Sequence, residues 1–306
     1  MTYTALKNLL DEPITLISPE HVYIYDKDED MNFSHVTGVI DTHFKPFDSK
    51  MIAGALVKNT QKYAHYSSGS ELEAEWDRLR DRASEVHSQI EKYINDGKDP
   101  SAQRAKLAVD WFKKQKNMYG KEAYAEVIVF NDESKVSGTV DLLVYHPDKE
   151  GVYIFDWKTT RDLYKSRGKG ITSITNDIRD SKFEKGQLQL SMYRFLLSQL
   201  GIKVIRSYLL HLTEDGVELV QCKYLKSQVN QMIKRHKLTK PKETVEEDYW
   251  DDTAPEEDIK YYHPPQTRKI YSKQLFTEKT RDMMGSIFEW AFIIFLVWAF
   301  ASQECF

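Results

Sequence analysis

The chain is built around two neighbouring apolar stretches, Ser137-Gly-Thr-Val-Asp-Leu-Leu-Val-Tyr-His146 and Gly151-Val-Tyr-Ile-Phe-Asp-Trp-Lys158. β-Branched and aromatic residues dominate both stretches, and a polar turn separates them, so we predict a β-hairpin. Each strand carries one acid where its pattern should stay apolar, Asp141 in the first and Asp156 in the second. A carboxylate in such a strand is costly unless it is paired, hydrogen-bonded or bound to a cation.

The second strand also carries a lysine, Lys158, two residues after its acid. Side chains alternate along a strand, so Asp156 and Lys158 are predicted to point to the same face of the sheet. Two carboxylates and an ammonium on one face indicate a divalent-cation site. The Asp-x-Lys spacing alone has no weight, because it recurs outside apolar strands at Asp48/Lys50, Asp96/Lys98, Asp180/Lys182 and Asp258/Lys260.

The composition is that of an ordinary globular protein, with 306 residues, 41% hydrophobic residues and a net charge of -4. Only two cysteines occur, Cys222 and Cys305, and they are far apart. This spacing argues against a disulfide scaffold, a structural zinc site and a four-cysteine iron–sulfur cluster. The N-terminus lacks a basic region followed by an apolar core, so we expect no secretory signal and an intracellular location.

Residues on either side of the hairpin could complete a site. A strand over residues 123–130 carries Glu126, and a helix over residues 184–200 places Gln189 and Tyr193 four positions apart on one face. An upstream helix, predicted to begin with a capping box at Ser70 and Glu73, carries His87 at the border of its apolar stripe. From the helix pattern alone, a boundary histidine is the favoured interpretation of His87 over a metal ligand.

A basic, glycine-containing segment over residues 161–170 follows the second strand directly. It could be a solvated connecting loop. Alternatively it contacts phosphates, because Lys and Arg beside a metal site can hold a polyanion. Its candidate substrate-binding residues are Arg161, Lys165, Arg167 and Lys169.

The composition changes near the C-terminus. We predict a catalytic domain over residues 1–242, an acidic and disordered linker over residues 243–282, and an apolar helix over residues 283–306. A membrane span needs roughly 20 apolar residues, so the last segment is borderline because it contains Glu289. A docking helix, a chance tail unrelated to the main domain and a membrane anchor are the alternatives for it.

The order of these parts resembles the PD-(D/E)XK nuclease superfamily in its RecB-like exonuclease branch. The residues that carry the resemblance lie over about residues 33–240, in chain order His87, Glu126, Gly138-Thr-Val-Asp141, Ile154-Phe-Asp156-Trp-Lys158 and Gln189-Leu-Ser-Met-Tyr193. The mitochondrial genome maintenance exonucleases and their phage and viral relatives show a similar ensemble. The resemblance implies an α/β fold with a restriction-endonuclease-like core, namely a mixed sheet of four or five strands flanked by helices on both faces.

The resemblance also implies a metal site. Asp141, Asp156 and His87 would be ligands of Mg²⁺, with Mn²⁺ as a substitute, and the Trp157 carbonyl would complete the site. Lys158 would be the catalytic lysine. The iron–sulfur cysteines of some relatives are missing, so the chain resembles the cluster-free subgroup.

The remaining motif residues have less defined roles. The resemblance implies that Gln189 and Tyr193 position DNA or the side chains of the metal site, and that Glu126 is an additional catalytic acid. No Walker motif is present, so a helicase or recombination partner would be a separate chain.

Three functions compete at this point. The leading hypothesis is a Mg²⁺-dependent DNA exonuclease of repair, recombination or replication that acts on single-stranded DNA or free ends. The second is a non-cleaving nucleic-acid-binding protein that keeps the fold, against which the complete acid–acid–lysine set argues. The third is a membrane-tethered scaffold organised by the apolar tail, which leaves the acids in the strands unexplained.

Overall fold

The computed structural model describes residues 1–17, 22–27, 31–119 and 122–239. Its first elements are two helices and three short strands. They are α1 (Thr2–Leu10), β1 (Ile14–Ile17), β2 (Val22–Tyr25), β3 (Ser34–His35) and α2 (Val36–Asp41). Of these strands, β3 belongs to the main sheet.

Three helices follow and precede the central strands. They are α3 (Ser49–Asn59), the long α4 (Gly69–Asp96) and α5 (Gln103–Tyr119). The helix α4 ends where Gly97 adopts a left-handed backbone with φ of 69°, a conformation that glycine tolerates best.

The central hairpin forms as predicted, and further strands and helices flank it. The remaining elements are β4 (Glu122–Asn131), β5 (Val136–His146), β6 (Gly151–Lys158), β7 (Ser166–Lys169), β8 (Arg179–Ser181), α6 (Lys182–Gln199), β9 (Val204–Leu212), β10 (Val217–Cys222) and α7 (Lys226–Thr239).

Six strands form one mixed sheet in the order β10-β9-β6-β5-β3, with β4 also paired to β5. Strand β4 pairs with residues Val136 to Tyr145 of β5 and therefore occupies one side of β5. The other edge of β5 must hold both β3, which pairs at Val136 and Ser137, and β6, which pairs from Leu142 onward. The interval between those two partners contains Asp141.

Helices cover both faces of this sheet. The first core joins the sheet to α1, α2, α6 and α7, for example through Leu6, Ile40, Leu188 and Ile233. The second core joins the opposite face to α4 and α5 through Val86, Ile90, Ala105 and Ala108. The predicted α/β sandwich with a mixed sheet is thus confirmed, and the sixth strand is the two-residue β3, too short for a sequence signal.

Two local predictions are wrong. Helix α4 is capped by Ser68, whose hydroxyl accepts from the Glu71 backbone N–H at 3.2 Å, and not by Ser70 with Glu73. Glu73 instead accepts a hydrogen bond from Ser49 on α3, a tertiary contact that helix signals cannot anticipate. The segment over residues 161–170 is also not all loop, because β7 lies inside it and pairs with β8.

The predicted acidic linker over residues 243–282 and the predicted apolar helix over residues 283–306 lie outside the described residues. Among the helices that the structure does describe, none has both the length and the apolar character needed to cross a bilayer.

Candidate active site

Three acids lie in a row across three adjacent strands. The pairing of β4 with β5 joins Ala125 to Leu142 and Val127 to Val140, which puts Glu126 opposite Asp141. The pairing of β5 with β6 ends at Leu142 and Phe155, and one further step along the same register puts Asp141 opposite Asp156. The hairpin therefore brings its two acids together as predicted, and β4 adds a third.

The sheet is distorted at this row. Glu126 has a φ of 51°, which is unusual for a residue with a side chain and rare inside a strand. Tyr124 and Val127, three residues apart, both contribute to the first core, so the normal alternation of side chains shifts by one at Glu126. Strained backbone of this kind is often found at functional sites, where surrounding structure holds it in place.

His87, Glu126 and Asp141 form a compact group of potential ligand atoms. One ligand atom from each of the three lies within 4.8 Å of the other two. His87 Nδ1 is 3.5 Å from Asp141 Oδ2, and the same oxygen accepts a hydrogen bond from the Trp157 backbone N–H at 2.8 Å. Helix α4 thus brings His87 over the end of the hairpin, close to the acids. The Trp157 carbonyl stays a predicted ligand.

Asp156 lies outside this compact group and makes a different contact. Its Oδ2 is 2.5 Å from Lys158 Nζ, so the acid and the lysine share one sheet face as predicted. Lys158 Nζ also donates to Gln189 Oε1 at 3.2 Å, and Gln189 Nε2 donates to the Tyr193 hydroxyl at 2.9 Å. Four site residues therefore form one chain of contacts, which holds the lysine between β6 and α6.

Two glycines leave room for this chain. A Cβ at Gly138 would lie 2.5 Å from Cε1 of Tyr193, so the tyrosine ring packs directly on the backbone of β5. A Cβ at Gly186, in the first turns of α6, would lie 3.3 Å from Cε of Lys158 and 3.0 Å from a methyl of Leu209. The glycine in the Ser-Gly-Thr-Val-Asp stretch therefore serves side-chain packing at the site.

The acids repel one another electrostatically. Burial, followed by the charges of Asp141 and Glu91, raises the pKa of Glu126 well above its ordinary value. Burial likewise raises the pKa of Asp156 to about 6, although the Lys158 ammonium opposes this shift. For Lys158, burial alone would lower the pKa, but the carboxylates of Asp156 and Asp141 outweigh burial and raise it.

This donor set fits a divalent cation. Carboxylate oxygens are the preferred ligands of Mg²⁺ and Mn²⁺, and imidazole is more suitable for Mn²⁺ than for Mg²⁺. Like-charged carboxylates at close range favour protonation of one of them, and a bound cation would remove that repulsion. The group that could hold the cation is His87, Glu126 and Asp141, and Asp156 lies opposite Asp141 on the next strand.

A cavity of about 420 Å³ opens onto the group. His87, Glu126, Gln189 and Tyr193 line it together with Glu91, which the sequence interpretation missed. Glu91 lies one helical turn after His87 on α4, and that spacing of four was the available signal.

The hairpin of β1 and β2 also reaches this cavity. Tyr23 lies among its lining residues, and the Tyr23 hydroxyl is 3.0 Å from Thr139 Oγ1. The sequence could not predict that Tyr23 lies at the site, because its contact with Thr139 joins residues far apart in the chain.

The four basic residues predicted to contact substrate are all exposed. Arg167 lies 3.6 Å from the buried carboxylate of Asp180, and its guanidinium is 4.7 Å from the centre of the Phe47 ring. The others are Arg161, Lys165 and Lys169, and within the described residues none of them forms an ion pair with the acids of the site. Their role stays a prediction.

Comparison with known proteins points to one family. The family model of the PD-(D/E)XK nuclease superfamily matches residues 55–287. No curated protein matches the chain. The crystal structure of SSO0001 superposes with a TM-score of 0.31 at 15% sequence identity, over 78% of this chain and 85% of that chain, which is too loose to carry an argument.

Proposed function

The chain belongs to the PD-(D/E)XK nuclease superfamily, and we propose that it is a Mg²⁺-dependent deoxyribonuclease that hydrolyses phosphodiester bonds. The observation that carries the proposal is the row of Glu126, Asp141 and Asp156 across three strands, with Lys158 beside it. A protein that had lost the chemistry would have no reason to keep this mutually repulsive group.

We assign the proposed roles residue by residue. His87 and Asp141 would hold the cation together with Glu126, the additional acid, whose ligand atoms cluster with theirs. Asp156 on the neighbouring strand and the Trp157 carbonyl would complete the site. A divalent cation there supplies Lewis acidity toward the scissile phosphate and lowers the pKa of a nearby water. Mn²⁺ would substitute for Mg²⁺, and no iron–sulfur cluster is required.

Lys158 would act on the reacting atoms directly. Its ammonium is held by Asp156 on one side and by Gln189 on the other, so its position is fixed before substrate arrives. A preorganised positive charge stabilises the negative charge that develops on the phosphate oxygens during hydrolysis. The ammonium also donates hydrogen bonds and can orient the attacking water.

Gln189 and Tyr193 would position the lysine. The Tyr193 hydroxyl accepts from the Gln189 amide, which turns the amide oxygen toward Lys158. Arg161, Lys165, Arg167 and Lys169 would contact the phosphates of the strand, since exposed lysines and arginines beside such a site attract a polyanion.

The finer function follows from the motif order rather than from the geometry. We propose an exonuclease that acts on single-stranded DNA or on free ends, in repair, recombination or replication, with any helicase on a separate chain. The Gln-x-x-x-Tyr motif at Gln189 and Tyr193, together with His87, supports this branch.

The test is a cleavage assay with single- and double-stranded DNA labelled at the 5′ or 3′ end, with Mg²⁺ or with a chelator. We expect Mg²⁺-dependent shortening from an end, and loss of cleavage with retained DNA binding in Asp141→Asn and Lys158→Ala. Binding without cleavage by the wild type would support the non-cleaving protein instead. Wild-type rates in Lys158→Ala would show that the lysine assignment is wrong.

A further inference from the structure

One face of α6 continues beyond the site. Gln189 and Tyr193 on this face contact Lys158, and Gly186 lies under the stem of that lysine. Lys182 precedes Gly186 by four residues and Gln189 by seven, so it lies on the same face of the helix. At about 1.5 Å per residue, Lys182 is about 10 Å from Gln189 along the helix axis.

Lys182 occupies a position that is unfavourable for a cation. It is the first residue of α6, at the helix end where backbone N–H groups disfavour positive charge. Burial, followed by the positive charges of Lys158 and Arg167, lowers the pKa of its ammonium. Lys182 nevertheless remains exposed to solvent, so a ligand can reach it.

The acids around Lys182 are bound to other cations. Asp180 is 3.3 Å from Lys185 and 3.6 Å from Arg167, and Asp41 is 2.9 Å from Lys185. Within the described residues, Lys182 has no ion pair at 4.0 Å or less. Lys182, Lys185 and Arg167 therefore share only two carboxylates, those of Asp180 and Asp41.

We propose that Lys182, supported by Arg167 and Lys185, forms a phosphate-binding subsite for the polynucleotide next to the bond that is cleaved. A phosphate there would offset the repulsion among the cations and the unfavourable helix end. The subsite rests on the proposed nuclease function. It adds Lys182, which the basic segment at residues 161–170 does not include, to the residues that contact substrate.

The phosphate could be an internal phosphodiester of the strand or a phosphate at its end. Both present anionic oxygens to the ammonium, and substrates with and without a terminal phosphate distinguish them. An internal phosphate would make the subsite a guide for the strand. A terminal phosphate would make it an anchor for the end.

The first experiment measures the salt dependence of binding. The full chain is titrated against fluorescent oligothymidylate in chelator, over about 50 to 200 mM salt. Each phosphate contact contributes a slope of about 0.7 to the plot of log affinity against log salt for a single strand. We expect Lys182→Ala to reduce the slope by about that amount and Lys182→Arg to preserve it.

Lys149→Ala is the matched control, since this exposed lysine lies at the turn that joins β5 and β6, far from Asp156. It should leave the slope unchanged. An unchanged slope in Lys182→Ala, or an equal loss in the control, would overturn the subsite.

The second experiment locates the phosphate. Single phosphates of the strand are replaced one at a time by neutral methylphosphonate, and the 5′- and 3′-terminal phosphates are present or absent. One position should weaken wild-type binding and have no effect in Lys182→Ala. Equal effects at every position in both proteins would contradict the proposal. Failure of wild-type cleavage with Mg²⁺ would instead contradict the nuclease function, so the two failures are distinguishable.

Discussion

Replacing Gly138 by alanine tests how the site is held together. The new methyl group would lie 2.5 Å from Cε1 of Tyr193 and 3.1 Å from a methyl of Val36, so the tyrosine ring must move by about 1 Å to reach ordinary contact. Tyr193 is only 3% exposed, and it also lines the cavity at the site, so the ring can move only toward that side. Its hydroxyl accepts from Gln189 at 2.9 Å, and a displacement of about 1 Å away from the amide would stretch that bond beyond hydrogen-bonding range.

The expected cost combines two effects. Overpacking a core costs about 1–3 kcal/mol, and a lost intramolecular hydrogen bond costs about 0.5–1.5 kcal/mol. Alanine is also preferred to glycine inside a strand by about 0.5–1 kcal/mol, so we expect the free energy of unfolding of Gly138→Ala to fall by about 0.5–4 kcal/mol. Cleavage by the folded fraction should also slow, because Gln189 no longer holds Lys158 in place.

Urea unfolding followed by circular dichroism measures the first effect. The matched control is Gly54→Ala, because a Cβ at this helical glycine of α3 meets nothing within 4 Å. Alanine is preferred to glycine inside a helix, so the control should gain about 0.5–1 kcal/mol. If Gly138→Ala unfolds at the wild-type urea concentration, the packing argument at Tyr193 is wrong.

Three further predictions concern the site and its surroundings. Tyr193→Phe removes the acceptor of the Gln189 amide and should slow cleavage by about 2- to 10-fold, with DNA affinity unchanged, in single-turnover assays; an equal loss of affinity would argue for direct DNA contact. A divalent cation at about 100 times its dissociation constant should stabilise the wild type by about 2.7 kcal/mol. In thermal unfolding, Asp141→Asn should abolish most of this gain, and the same gain in both proteins would place the cation elsewhere. Burial, then the charge of Arg235, lowers the pKa of His43 in the folded state. The stabilising contribution of His43 is therefore complete above the unfolded pKa of about 6.5 and is lost as the pH falls through the folded pKa. His43→Gln should flatten this part of the pH profile of urea unfolding, and an unchanged profile would assign it to other groups.

The acids of the hairpin show how much of the site the sequence could predict. Asp141 and Asp156 interrupt apolar strands joined by a short turn, so their proximity follows from local pattern and pairing. The contact between Asp156 and Lys158 follows from the two-residue period of a strand. The order of the motifs also predicted the PD-(D/E)XK superfamily, and the match of the family model confirms this prediction.

Other features depend on contacts between distant parts of the chain. Sequence could not show that Glu126 adopts a left-handed backbone opposite Asp141, because β-propensity says nothing about strain. The capping box at Ser70 and Glu73 fails because Glu73 accepts a hydrogen bond from Ser49 of α3, and Ser68 caps α4 instead. Both are decided by packing.

The sequence by itself determined the hairpin, its acids, its lysine and the helices that flank them, because periodicity and turn chemistry act over a few residues. Only the tertiary structure decided which distant groups join the hairpin. His87 and Gln189 come from helices on opposite faces of the sheet, and Gln189 reaches Lys158 only because α6 packs across β6 and β9. Lys182 shares that face of α6. Helix packing selects those neighbours, and the hydrophobic pattern of a helix fixes its buried face but not the side chains that it will meet.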